Sequence, residues 1–116
     1  MSPRLFVAAF GGAVLLLALC LPRAAQAQMD AAAAESLAKK SKCMTCHSVD
    51  KKKDGPAFKE TAAKYRDKPD GSAKLFAHLT STPKIKVDGK EELHEMPKTK
   101  NEAELKNLAA WILSLK

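Results

Sequence analysis

Apolar residues are distributed in two ways along the chain. Residues 5–21 form a single apolar run from Leu5 to Leu21, whereas beyond Asp30 apolar side chains recur at helical intervals among charged ones. Asp30 is placed to cap a first helix over residues 31–42, where alanine favours helix and Lys39, Lys40 and Lys42 suit the negative end of its dipole. Lys51-Lys52-Lys53-Asp54-Gly55-Pro56 reads as a loop. Pro56 then opens a short helix in which Phe58, Ala62 and Tyr65 recur at i, i+4 and i+7. After the turn Lys68-Pro69-Asp70-Gly71, residues 72–79 predict a third helix with Leu75, Phe76 and Leu79 on one face.

Residues 80–100 contain Pro83, Gly89 and Pro97 and little periodicity, so they read as a long loop, a feature that in compact domains is usually functional or disordered. Asn101 and Glu104 resemble a capping box. Leu105, Leu108, Ala109, Ile112 and Leu115 continue at helical spacing to the end of the chain. No alternating run is long enough to predict a strand, and no internal repeat is present. The expected fold class is all-α, four helices joined by loops.

The first apolar run is not part of that domain. Arg4 precedes it, and Pro22, Arg23 and the small-x-small triplet Ala25-Gln26-Ala27 follow, which is the layout of a secretory signal peptide cleaved after Ala27. Two other readings are weaker. A membrane anchor would want roughly 20 apolar residues, and a lipid-attachment role for Cys20 is opposed by Leu19 where a small residue is required. The expected organisation is therefore a signal peptide, residues 1–27, and one domain, residues 28–116, exported to the periplasm.

Removing the leader changes the composition. It holds 19 of the 53 hydrophobic residues, two of the 20 bases and none of the 13 acids, which leaves the mature chain at +5 rather than +7. Of its 34 hydrophobic residues 13 are alanines and two are cysteines, so only 19 larger apolar side chains remain to build a core. A domain this small with so few needs a disulfide, a metal, a prosthetic group or a partner. The scattered lysines and few aromatic residues do not make a nucleic-acid surface; steering toward an acidic protein is the sharper reading of the charge.

The missing component is indicated by Cys43-Met44-Thr45-Cys46-His47, the C-x-x-C-H spacing of covalent c-type haem attachment. Two thiols at this spacing reach the two vinyl groups of one porphyrin while the adjacent imidazole meets the iron. A thioredoxin-type redox pair would need a βαβ setting that is absent, and a zinc site would need a fourth ligand, for which only His78 and His94 are available. With His47 as one axial ligand, the candidates for the opposite face are Met29, His78, His94 and Met96. Met29 lies at the mature N-terminus, His94 reads as an exposed loop residue and His78 as a helix-end residue. Met96 stands out because it lies in the unperiodic loop and Pro97 stiffens the backbone beside it.

These residues together resemble a small bacterial class I cytochrome c with one haem. The resemblance rests on Cys43-Met44-Thr45-Cys46-His47 after an N-terminal helix, Gly55-Pro56-Ala57-Phe58-Lys59 leading into Ala62-Ala63-Lys64-Tyr65, Glu95-Met96-Pro97-Lys98, and the closing Leu108-Ala109-Ala110-Trp111-Ile112-Leu113. It spans the mature chain and implies the class I fold, helices and long loops wrapped around one covalent haem c. It implies His/Met ligation by His47 and Met96, a pocket that includes Gly55, Pro56 and Trp111, and a Pro56 carbonyl that accepts a hydrogen bond from His47. Lys98 stands where many relatives have a second proline. No Trp precedes Met96 to meet a haem propionate, and Lys84, Lys86 and His94 are the alternatives for that contact.

A six-coordinate iron has no substrate position, so the expected activity is one-electron transfer and not catalysis. The expected partners are redox proteins that dock at an exposed haem edge through acidic patches, with Lys51, Lys52 and Lys53 as steering charges. The expected state is a monomeric shuttle between respiratory-chain or dehydrogenase donors and a terminal acceptor; the alternative is a subunit of a periplasmic dehydrogenase, which co-purification would reveal. A peroxidase or gas sensor with an open iron is a further alternative, for which Met96 would not be a ligand.

Overall fold

The computed structural model describes residues 28–116; the expected signal peptide and Cys20 lie outside the described residues. The first helix, α1 (Ala31–Lys40), opens as predicted, with the Asp30 carboxylate accepting a hydrogen bond from the Ala33 amide at 2.9 Å. It stops short of residue 42 because Lys42 takes φ +62°, a left-handed conformation that an α-helix cannot continue through. A single further turn, α2 (Cys43–Cys46), follows.

Helix α3 (Phe58–Arg66) begins two residues after Pro56, with the Ala57 amide donating to the Glu60 carboxylate. Helix α4 (Gly71–Thr80) buries Leu75 and Leu79, while Phe76 is half-buried. Its first residue must be glycine, since a Cβ there would lie 1.8 Å from the Tyr65 carbonyl oxygen. The closing helix, α5 (Glu102–Ser114), is capped by Asn101, whose side chain accepts from the Ala103 amide. The expected reciprocal contact of Glu104 with Asn101 is not made: Glu104 accepts from the Thr99 hydroxyl, and that hydroxyl accepts from the Asn101 amide.

The segment expected to be loop throughout contains a hairpin, β1 (Lys84–Val87) and β2 (Lys90–Leu93), paired antiparallel with Lys84 opposite Leu93 and Val87 opposite Lys90. Asp88 and Gly89 turn it with φ of +49° and +78°, the positive pair that two-residue hairpin turns require. The class remains helical, with this small addition.

Helix α5 packs against α1, α3 and α4. Ala34 and Ala38, both essentially inaccessible, form a small-residue face on α1 that packs in the same core cluster as Leu108 and Ala109 of α5. Asp30 and Asn107 exchange two 2.8 Å hydrogen bonds between backbone and side-chain amide groups, tying the start of α1 to the middle of α5. Seven large side chains fill the described core, Leu37, Phe58, Leu75, Leu79, Leu108, Trp111 and Ile112, with buried alanines among them. Among the described residues no helix is long and apolar enough to cross a membrane.

Candidate functional site

Cys43 and Cys46 begin and end the one-turn helix α2, and both thiols are free and half-buried. Burial pushes the Cys43 thiol above its ordinary pKa and so holds it protonated at neutral pH. His47 follows in extended conformation, and its Nδ1 lies 2.7 Å from the Pro56 carbonyl oxygen. A carbonyl only accepts, so Nδ1 carries the proton and the lone pair of Nε2 is left for a metal. The contact expected from Pro56 is therefore present.

The backbone around this contact is knitted across two segments. The Gly55 amide donates to the Cys46 carbonyl at 2.8 Å and the Phe58 amide to the Ser48 carbonyl at 2.8 Å. Gly55 lies directly against the imidazole, where a Cβ would fall 2.5 Å from His47 Cε1, so the site requires a glycine. On its other contact the imidazole stacks on Phe58, with ring centres 5.1 Å apart and planes at 21°. Trp111 meets Phe58 edge-on at 5.7 Å. Trp111 is buried core that packs on the ring stacked against His47.

Met96 lies in an irregular stretch after β2 and is 48% exposed, while Pro97 beside it is buried. That stretch is fastened to the end of α1 by its C-cap Ser41, a buried residue whose hydroxyl accepts from the Lys98 amide at 2.8 Å. Met29 sits beside Asp30, whose backbone is bound to Asn107. His94 is not the exposed loop residue expected. Its ring is half-buried, 6.1 Å from the His47 ring and 4.6 Å edge-on from His78, and its Nδ1 is fully buried with no hydrogen-bond partner. Burial pushes both His78 and His94 toward the neutral form, with the neighbouring histidines adding to the effect.

Of the three steering lysines, Lys51 and Lys52 are exposed, but the Lys53 ammonium donates to the Met44 carbonyl at 2.8 Å and so braces the turn between the cysteines. Lys84 faces Glu91 across the hairpin. Sequence reasoning gave Phe58 a helix-face position and Lys53 a docking charge, and left out Ser41. Phe58 fits a helical core period equally well, and the other two act through contacts without a local signature.

Among the described residues no group of three or more His, Cys, Asp or Glu side chains is placed to hold a metal ion. The donor set fits a haem: two free thiols on one turn, an imidazole with its metal-binding nitrogen free, and a glycine cradle beside it.

Comparison with known proteins agrees. The chain matches the family model described as Cytochrome c over residues 31–116. It is 44% identical to cytochrome c-551 of Pseudomonas denitrificans over 85 residues, 71% of this chain and 96% of the relative. It is 41% identical to cytochrome c-552 of Nitrosomonas europaea over 97 residues, 80% of this chain and 84% of the relative. Among solved structures, the class 1 cytochrome MtoD of Sideroxydans lithotrophicus ES-1 superposes with a TM-score of 0.72 at 49% identity, covering 76% of this chain and 98% of that one. The chain belongs to the cytochrome c family, with the class I fold and a covalently attached c-type haem, and it is an electron-transfer protein, not an enzyme.

Proposed function

We propose that Cys43 and Cys46 hold the haem, that His47 and Met96 are its axial ligands, and that the mature domain, residues 28–116, carries single electrons between periplasmic redox proteins. The observation that carries this reading is the His47–Pro56 hydrogen bond beside two free thiols on one turn. Cys43 and Cys46 would hold the haem as thioethers, each thiol adding across one vinyl group with its own hydrogen, so that no oxidant would be needed. When bound, the haem supplies a one-electron couple; every other property belongs to the chain.

His47, with its proton fixed on Nδ1 by Pro56, offers Nε2 in a single orientation, and the hydrogen bond makes that nitrogen a better donor. The Phe58 stack and Gly55 hold the ring between them. Met96 supplies a soft thioether, which paired with histidine raises the reduction potential. Ser41 holds the backbone that carries it. Phe58 and Trp111 keep water from the His47 side and so favour the less charged, reduced state.

Export through residues 1–27 places the protein where no soluble pool returns a lost haem, which suits a covalent link. Lys51 and Lys52 are exposed beside the attachment turn and suit a transient acidic partner docking at the haem edge, with the protein a monomer between encounters. The test is the spectrum of the periplasmic protein carrying Met96→Ala. Loss of the thioether-to-iron charge-transfer band supports the ligand assignment, and its persistence excludes Met96.

A further inference from the structure

We propose that His94 is a second donor for the sixth coordination position, held in reserve behind Met96 and able to take the iron when the thioether leaves. This inference rests on the His47/Met96 reading above and extends it.

Three observations converge on His94. Its ring centre is 6.1 Å from that of His47. Two imidazoles binding one metal from opposite sides have centres about 6 Å apart, with a metal–nitrogen bond of about 2 Å on each side and the remainder inside the rings. The Nδ1 of His94 is buried with no partner, in a chain where the comparable nitrogen of His47 is satisfied by Pro56. A buried polar nitrogen is ordinarily paired, and one left unpaired calls for an explanation. Finally, the ring is held in place. His78 of α4 packs edge-on at 4.6 Å, and the His94 amide donates to the Pro83 carbonyl at 2.9 Å, fixing its backbone at the open end of the hairpin.

Met96 is two residues further along the same irregular stretch. One short piece of backbone therefore carries two donors of different softness, a thioether and an imidazole. The fastening at Ser41 lies on the Met96 side, at Lys98, and the fastening at Pro83 lies on the His94 side. Exchange between them needs only the three residues between these anchors, Glu95, Met96 and Pro97, to move.

The test uses haem-loaded protein with Met96→Ala, His94→Ala and the double variant, read by electron paramagnetic resonance, visible absorption and titration with free imidazole. Met96→Leu serves as well if the alanine variant does not take up haem. The expected result is that Met96→Ala loses the charge-transfer band yet stays low-spin with two imidazole ligands, while the double variant becomes high-spin. Because added imidazole must displace His94 in the single variant, its apparent affinity there is at least about tenfold weaker than in the double variant. His94→Ala alone keeps the charge-transfer band.

If Met96→Ala is high-spin and binds imidazole as tightly as the double variant, the reserve role is overturned and Met96 stands. If Met96→Ala keeps the band, the Met96 assignment itself fails and the reserve role with it. If His94→Ala alone loses the band, His94 is not a reserve donor and the proposal is wrong.

Discussion

The His47 imidazole donates through Nδ1 to the Pro56 carbonyl across 2.7 Å, and Gly55 leaves no space between that ring and the backbone. The imidazole is therefore oriented by main-chain contacts at Pro56 and Gly55 and by the ring of Phe58.

Gly55→Ala should disturb this arrangement directly. The new Cβ would lie 2.5 Å from Cε1 and 2.9 Å from Nδ1 of a ring that is not free to swing away. The expected outcome is a loss of about 1–3 kcal/mol in denaturant unfolding of the haem protein. The low-spin spectrum should also be lost at a lower denaturant concentration than in the wild type.

Ser41→Ala removes the hydroxyl that accepts from the Lys98 amide. It should cost about 1 kcal/mol in stability. More tellingly, it should weaken the hold on Met96, so that added imidazole displaces the thioether at lower concentration than in the wild type. Unchanged imidazole binding would show that Ser41 is structural only.

Met96→Ala should lower the reduction potential, since a thioether paired with histidine is what raises it. The fall should be seen in a voltammetric or dye-equilibrium titration whether the sixth position is then taken by His94 or left open to water.

With only Leu37, Phe58, Leu75, Leu79, Leu108, Trp111 and Ile112 as large buried side chains, the core is thin for a domain of this size. A Cys43→Ala, Cys46→Ala variant without haem should show a broad thermal transition and helical circular dichroism well below that of the loaded protein. A sharp transition near the wild-type temperature would mean that the helices support one another without the cofactor.

Two exposed ion pairs predict a pH dependence. A hydrogen bond and charge from Lys74 hold the Asp70 carboxyl below its ordinary pKa, and Lys106 does the same for Glu102. A folded-state pKa below the unfolded one contributes stability above the unfolded value, and that contribution is lost as pH falls through the folded value. The stability difference between wild type and a Lys74→Gln, Lys106→Gln variant should therefore be fully present above the ordinary carboxylate range and shrink as pH falls through and below it. It should be small throughout and smaller in high salt, because both pairs face solvent.

The parts of this molecule legible from sequence are those with local signatures. Asp30 and Asn101 announce two helices by capping them, and the spacing from Cys43 to His47 announces the cofactor. The hairpin escaped because β2, Lys-Glu-Glu-Leu, is wholly exposed and has no apolar alternation; only Asp88-Gly89 hinted at it. Phe58 read as core because stacking on a ligand and packing on a helix face ask for the same residue at the same period. The Ser41–Lys98 bond spans 57 positions and the three histidines come from separate elements, so neither has a signal within any window of sequence.

The central claim, that Cys43 and Cys46 hold a haem closed by His47 and Met96, is tested most directly by visible spectra of the purified protein, oxidised and reduced, before and after acid–acetone extraction. The account predicts haem that stays with the chain after extraction, and before it a low-spin spectrum in both states with a thioether-to-iron band in the oxidised one. Haem released into the acetone, or an oxidised spectrum of an iron with an open sixth position, would contradict it.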